Sequence, residues 1–320
     1  MPESYPTLAQ LLILNNENLA DQEFTNLFNK AKALEVIPAI TSSNGTVHQY
    51  LRETAAPTPG YRAINDGIEN TVSVDTNVTV TLKILDATSR VDIAIADNYK
   101  NGAVAWIARE TGRHLRQALF IAEKQIWYGD QSPGSTGGPE GIADVLPYLD
   151  STGIVVNGGG DTANTGSSVY AVYVDSGMPE DGFAFVVGNS GNIQVMETTV
   201  IDTAGSATGT FPAYYTPAYG YTGLQIGSVY GIGRICNLTE DANDGLDDDL
   251  LSTLIAKFPA DRKPTHFFMS RRSQRQLQQS RTATTITGTP APFPTEAFGV
   301  QIVVTDSILD TEAIVTNTPT

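Results

Sequence analysis

A single cysteine in 320 residues excludes an intrachain disulfide. Because Cys236 stands in an apolar, strand-like run at 232–238, its thiol is expected to be buried, in a chain made in a reducing compartment. Basic residues are scarce too: 19 Lys and Arg face 35 Asp and Glu, and the resulting formal charge of −16 repels a phosphate backbone. Sequence-specific reading of nucleic acid is thereby excluded as the main task. No stretch offers the roughly 20 uninterrupted apolar residues of a membrane span. The start Met1-Pro2-Glu3-Ser4 carries neither part of a secretion signal, so the chain is expected to be cytosolic when made.

Signatures of chemistry are equally thin, and each fails on a stated requirement. His48, His114 and His266 are too far apart for paired metal spacing. Asp241-Ala242-Asn243-Asp244-Gly245 resembles a calcium loop, but that register puts Ala242 on a ligand position and Leu251 where a bidentate glutamate belongs. An acidic loop opening a helix fits better. The glycine clusters at 157–161 and 231–233 lack the residues and spacing of phosphate or dinucleotide loops and read as turns. Gly188-Asn189-Ser190-Gly191 follows a strand but lacks the spacing of a nucleophile elbow. No carboxylate pair is singled out, and no cofactor or metal is expected.

What is present is a folded composition, 41% hydrophobic and 17% charged, with 29 Gly and 17 Pro marking many turns. Residues 7–34 carry apolar positions at helical intervals, and Pro38 ends them. Residues 46–90 change to β-branched alternation around 72–74 and 78–82, interrupted at 56–60, which predicts a long two-stranded excursion. The strongest helical period runs over 98–128, with Asp97 as the expected N-cap and Gly129-Asp130 as the stop. Gly112 inside it predicts a bend or a close contact. Strands are expected at 168–174, 182–187, 223–229, 231–238, 265–269 and 298–304. Helices are expected at 246–258 and from the cap Ser270 to about 281.

This order resembles that of the HK97-like major capsid proteins of tailed double-stranded-DNA bacteriophages. Three groups of residues carry the likeness: Tyr50-Leu51-Arg52 with Gly60-Tyr61-Arg62-Ala63-Ile64-Asn65; the helix end Glu123-Lys124-Gln125-Ile126-Trp127-Tyr128-Gly129-Asp130; and Tyr230-Gly231-Ile232-Gly233-Arg234 followed by Phe267-Phe268-Met269-Ser270 and Phe298-Gly299-Val300-Gln301-Ile302. The resemblance implies an α+β subunit with an N-arm (1–40), an extended E-loop (41–95), a P-domain with a spine helix (96–150), an A-domain (151–295) and a P-domain return strand (296–320). It further implies hexamers and pentamers in an icosahedral shell enclosing DNA, assembled in the host cytoplasm, with no catalysis. A portal, a separate scaffolding protein and a decoration protein are the implied partners. The one E-loop lysine, Lys83, is not assigned a crosslink. An encapsulin-type nanocompartment and a β-rich polysaccharide hydrolase are the alternative readings.

Two surfaces are expected to serve assembly. The E-loop strands carry too little apolar surface to stand alone, so they are expected on a neighbour, with Arg52 and Arg62 meeting carboxylates there. On the spine helix, a core stripe of Val104, Leu115, Leu119 and Ala122 leaves Trp106, Arg109, Arg113, Arg116, Phe120 and Trp127 opposite. That face is expected to be covered by the N-arm or a neighbour, its arginines meeting acids such as Glu17, Asp21 or Glu23. A second layer of the same domain covering the aromatics, or a local contact with packaged DNA, are the other readings of this face.

Overall fold

A proline, a glycine or a short polar turn separates most of the elements along the chain, which the computed structural model describes over residues 30–318 apart from 70, 130–136, 152, 176–181, 189–192, 205–208, 242 and 284–289. The helices expected within 7–34 lie outside these residues except at their end, where Ala33–Glu35 forms one 3-10 turn. In chain order follow β1 (Ala39–Thr41), β2 (Val47–Ala55), β3 (Val74–Thr81), β4 (Lys83–Asp86), β5 (Ser89–Asp92), α1 (Ile93–Asp97), α2 (Ala103–Tyr128) and α3 (Ile142–Val145). Next come β6 (Ile154–Asn157), β7 (Ser167–Val172), β8 (Phe183–Val187), β9 (Gln194–Val195), β10 (Thr199–Ala204), β11 (Thr210–Thr216), β12 (Ala218–Ile226) and β13 (Ile232–Leu238). The last elements are α4 (Asp248–Ala256), β14 (His266–Met269), α5 (Arg271–Ala283), β15 (Glu296–Ala297) and β16 (Val300–Val304).

The described strands form four sheets. β2 and β3 make the expected antiparallel excursion, in register from Val47 opposite Thr81 to Glu53 opposite Asp75, with a shift before Ala55 opposite Val74. Beside α2 lie a sheet in the order β1-β8-β12-β4, with β9 on β12, and a smaller one in the order β10-β11-β5. The largest sheet runs β15-β16-β14-β7-β13-β6. Its central strand β7 is buried on both faces, so alternate residues enter different cores. Val169 and Ala171 face α4 and α5 with Leu251, Leu254 and Leu277. Tyr170 and Val172 face the end of α2 with Ile126 and Trp127.

β8 and β12, inside the stretch assigned to one β-rich domain, pair with β1 and β4 beside the long helix. β16 runs parallel to β14 in the largest sheet. Asp97 is not the cap of the long helix: it ends α1, which Asp92 caps by accepting from Ala94 N at 2.8 Å. The chain then turns through Gly102, at φ +84°, before α2 begins. Gly129 stops α2 as expected, with φ +56°. Gly112 is exposed and a Cβ built there would meet nothing within 4 Å, so no close contact at this glycine is found among the described residues.

Candidate functional site

The end of α2 is the structural centre of the subunit, because residues 122–128 are buried almost all round. A carboxylate sits in this apolar setting. Glu123 accepts from Ala33 N at 2.8 Å and Leu34 N at 3.4 Å on one oxygen, and from the hydroxyls of Ser307, at 2.6 Å, and Thr305 on the other. It thereby joins the incoming N-terminal segment, the long helix and the C-terminal segment. Burial raises its pKa, and the four hydrogen bonds offset this only in part. A raised carboxyl pKa means that Glu123 contributes stability below its unfolded pKa, and that this contribution is lost as pH rises through the folded value. Glu123→Gln keeps an oxygen for the backbone amides, and its amide can donate to hydroxyls that reorient. It should therefore gain stability relative to wild type at pH 7 and lose that advantage near pH 4. Melting curves of both proteins across that range check the sign.

A second buried network closes the C-terminal segment on the largest sheet. Arg234 of β13 pairs with Glu312 at 3.1 Å and also donates to Ser168 Oγ and Leu146 O, with its guanidinium over the Tyr170 ring. Glu312 accepts in addition from Tyr128 Oη at 2.6 Å and Ser168 Oγ at 2.5 Å. Burial and the adjacent carboxylate push the Tyr128 phenol well above its usual range, so it remains a donor. Burial likewise pushes the Cys236 thiol up to about 11, which makes it an inert core residue, as its setting in the sequence implies.

The long-helix face expected to await a partner is divided by the fold. Trp106 is 2% exposed, enclosed by Val91, Ala96 and an edge-on Tyr99. Trp127 is fully buried, stacked on Tyr170 and donating to Ser307 Oγ at 2.8 Å. Neither tryptophan is available to a neighbour, which corrects that part of the expectation. Val104 and Leu119, assigned to the core stripe, are exposed instead. The physical reason is that different sheets cover the two ends of α2, so no single stripe is buried along its length. Arg109 lies over the Trp106 ring, Arg113 pairs with Glu110 at 2.9 Å, Arg116 is exposed and Phe120 is half-buried. Glu17, Asp21 and Glu23 lie outside the described residues.

The β2–β3 hairpin behaves differently. Every described residue from 53 to 77 is exposed, including Tyr61 at 106%, Ile64 at 91% and Val72 at 83%. Arg62 is exposed and donates to Asp66 O at 3.2 Å. Arg52 donates to Ile226 O, Gly227 O and Tyr50 Oη of its own chain through Nε and Nη2. The strand alternation exposed the hairpin to sequence reading, but not which of its two arginines the body would claim.

Elsewhere the acidic segment near 241–249 serves the start of α4. Asp247 caps it by accepting from Leu250 N at 2.8 Å, and Asp241 accepts from Thr162 and Thr239 hydroxyls. Among the described residues no group of three His, Cys, Asp or Glu side chains is arranged to hold a metal, and no helix is long and apolar enough to cross a membrane.

A family model described as major capsid protein GP7 matches residues 23–316. No curated protein matches the chain. Among solved structures, the chain is similar to a protein of bacteriophage Epsilon15 at TM-score 0.69 and 19% identity, over 99% of each chain. It is also similar to the bacteriophage JBD30 capsid at TM-score 0.51 and 14% identity, over 95% of this chain and 99% of that one. These likenesses establish the α+β, HK97-like capsid fold. With the family model spanning nearly its whole length, the chain belongs to the major capsid protein GP7 family.

Proposed function

We propose that the chain is the shell subunit of a tailed-phage head, associating with copies of itself as hexamers and pentamers around double-stranded DNA, without sequence-specific DNA contacts and without catalytic turnover. The virion capsid, assembled in the host cytoplasm, is its place. The carrying observation is the hairpin: a two-stranded ribbon projecting from the body with its apolar residues in water is unstable as a free element and makes sense only when covered. In this reading the hairpin is the E-loop, the layers beside α2 are the P-domain, and the largest sheet with α4 and α5 is the A-domain. The covering surface is a neighbouring copy.

Purified protein examined by negative-stain microscopy and light scattering should form closed particles of uniform size, and particles taken from infected cells should contain double-stranded DNA. A monomer at every concentration would exclude the shell, and particles loaded with enzyme in place of DNA would indicate a nanocompartment.

A further inference from the structure

We propose that His48, Tyr50 and Arg52 form a clasp that fixes the angle of the hairpin to the body and so positions it for the neighbouring subunit, an inference that rests on the shell reading. Side chains two apart on a strand share a face. On β2 these three residues point at one place, the end of β12. His48 Nδ1 accepts from Ser43 N at 3.2 Å, so its proton resides on Nε2, 2.6 Å from Gln225 Oε1. Tyr50 Oη donates to Ile226 O at 2.8 Å. Arg52 donates through Nη2 to the same carbonyl at 2.6 Å and through Nε to Gly227 O at 3.0 Å, with a further bond to Tyr50 Oη at 3.0 Å.

The apolar seat beneath the hairpin's root is small. Buried Leu82 lies over Gly223, where an added Cβ would stand 2.4 Å from Leu82 Cδ2 and 3.2 Å from Val80 Cγ1. From residue 53 outward the described residues of the hairpin are exposed, so the polar contacts near its base control a long lever. Ten or so extended residues reach roughly 30 Å, so a change of about 10° at the root moves the tip by about 5 Å. That displacement exceeds what a packed interface tolerates. The fork of Arg52 matters more than its charge, because two carbonyls and a phenol oxygen are served from one planar group.

The test uses the full chain with spin labels at Ala63→Cys on the hairpin and Asp261→Cys on the body, the native Cys236 being buried. In the unassembled subunit pulsed EPR should give one narrow distance. Tyr50→Phe with Arg52→Gln should broaden it, raising the released population roughly fivefold to tenfold for each bond lost, with near-UV circular dichroism unchanged. The yield of closed particles should fall with it. Arg52→Lys should fail to restore either readout, whereas pairing with a neighbour's carboxylate would let lysine substitute. An unchanged distance distribution in the double variant, or full rescue by Arg52→Lys, overturns the clasp. Should the double variant not fold, Tyr50→Phe alone gives the same reading on a smaller scale. Failure of the wild-type chain to form particles would count against the shell reading, while the EPR distances would still decide the clasp.

Discussion

Replacing Glu312 with alanine is expected to cost about 3–5 kcal/mol, enough to consume much of the 5–15 kcal/mol that holds a typical domain. The side chains of Arg234 and Glu312 are 5% and 7% exposed, so the loss of one partner strands the other away from water. The two directions are unequal. A guanidinium stays charged in any setting, and after loss of Glu312 it would keep only Ser168 Oγ, Leu146 O and the Tyr170 face. A carboxyl left in the interior can neutralise by taking up a proton. After loss of Arg234 it also keeps the Tyr128 and Ser168 hydroxyls as donors. Glu312→Ala should therefore be the more damaging single change and Arg234→Met the milder one, with its defect shrinking as the pH is lowered. Arg234→Met with Glu312→Leu should recover part of the loss, because an apolar pair removes the stranded charge but leaves the Tyr128 and Ser168 hydroxyls without their acceptor. Urea unfolding midpoints of the three variants decide the matter. A Glu312→Ala protein within about 1 kcal/mol of wild type would show that the C-terminal segment is held by its other contacts.

Neither buried charge network was anticipated from the sequence, although each left a signal there. Arg234 interrupts the apolar run at 232–238, and Glu123 stands beside Gln125, Ile126 and Trp127 at the end of the strongest helical pattern. A charge in such a setting must find a partner. Glu312 lies 78 residues from Arg234, and Glu123 is bonded by Ala33 and Leu34, 90 and 89 residues before it, and by Thr305 and Ser307, 182 and 184 after it, so no local pattern encodes that docking. The cap Ser270, the acidic start of α4 and the stop at Gly129 were legible because each is a local rule, satisfied within a few residues. β10 and β11 were not. Their residues are half exposed and follow no clean alternation, and Pro212 argues against a strand. The fold accommodates that proline because β11 pairs with β5 only from Ala213 onward, leaving Pro212 opposite Asp202 of β10 alone. The long helix misled for a related reason: a helical wheel assumes one neighbour along the whole length, and α2 has a different one at each end.

The hairpin tip should show the opposite behaviour from the buried pair, with little effect on the subunit and a large one on assembly. Tyr61, Ile64 and Val72 are already in water, so changing all three to serine should leave the free subunit's stability within about 0.5 kcal/mol per site of wild type. If a neighbouring copy buries them, each contributes roughly 1.5–3 kcal/mol to the contact. Losing three in every subunit then raises the concentration needed for closure by at least tenfold, since each 1.4 kcal/mol is a factor of ten. The variant should accumulate as folded, unassembled protein under conditions where wild type gives closed particles, as sedimentation and microscopy would show. Thr79→Ser, an exposed polar change on the same hairpin, should assemble as wild type does and controls for disturbance of the ribbon itself. Closed particles of the triple variant at the wild-type threshold concentration would mean that the exposed apolar tip is not what the neighbouring subunit covers. The search for the contact would then move to Val104 and Leu119 on the open face of the long helix.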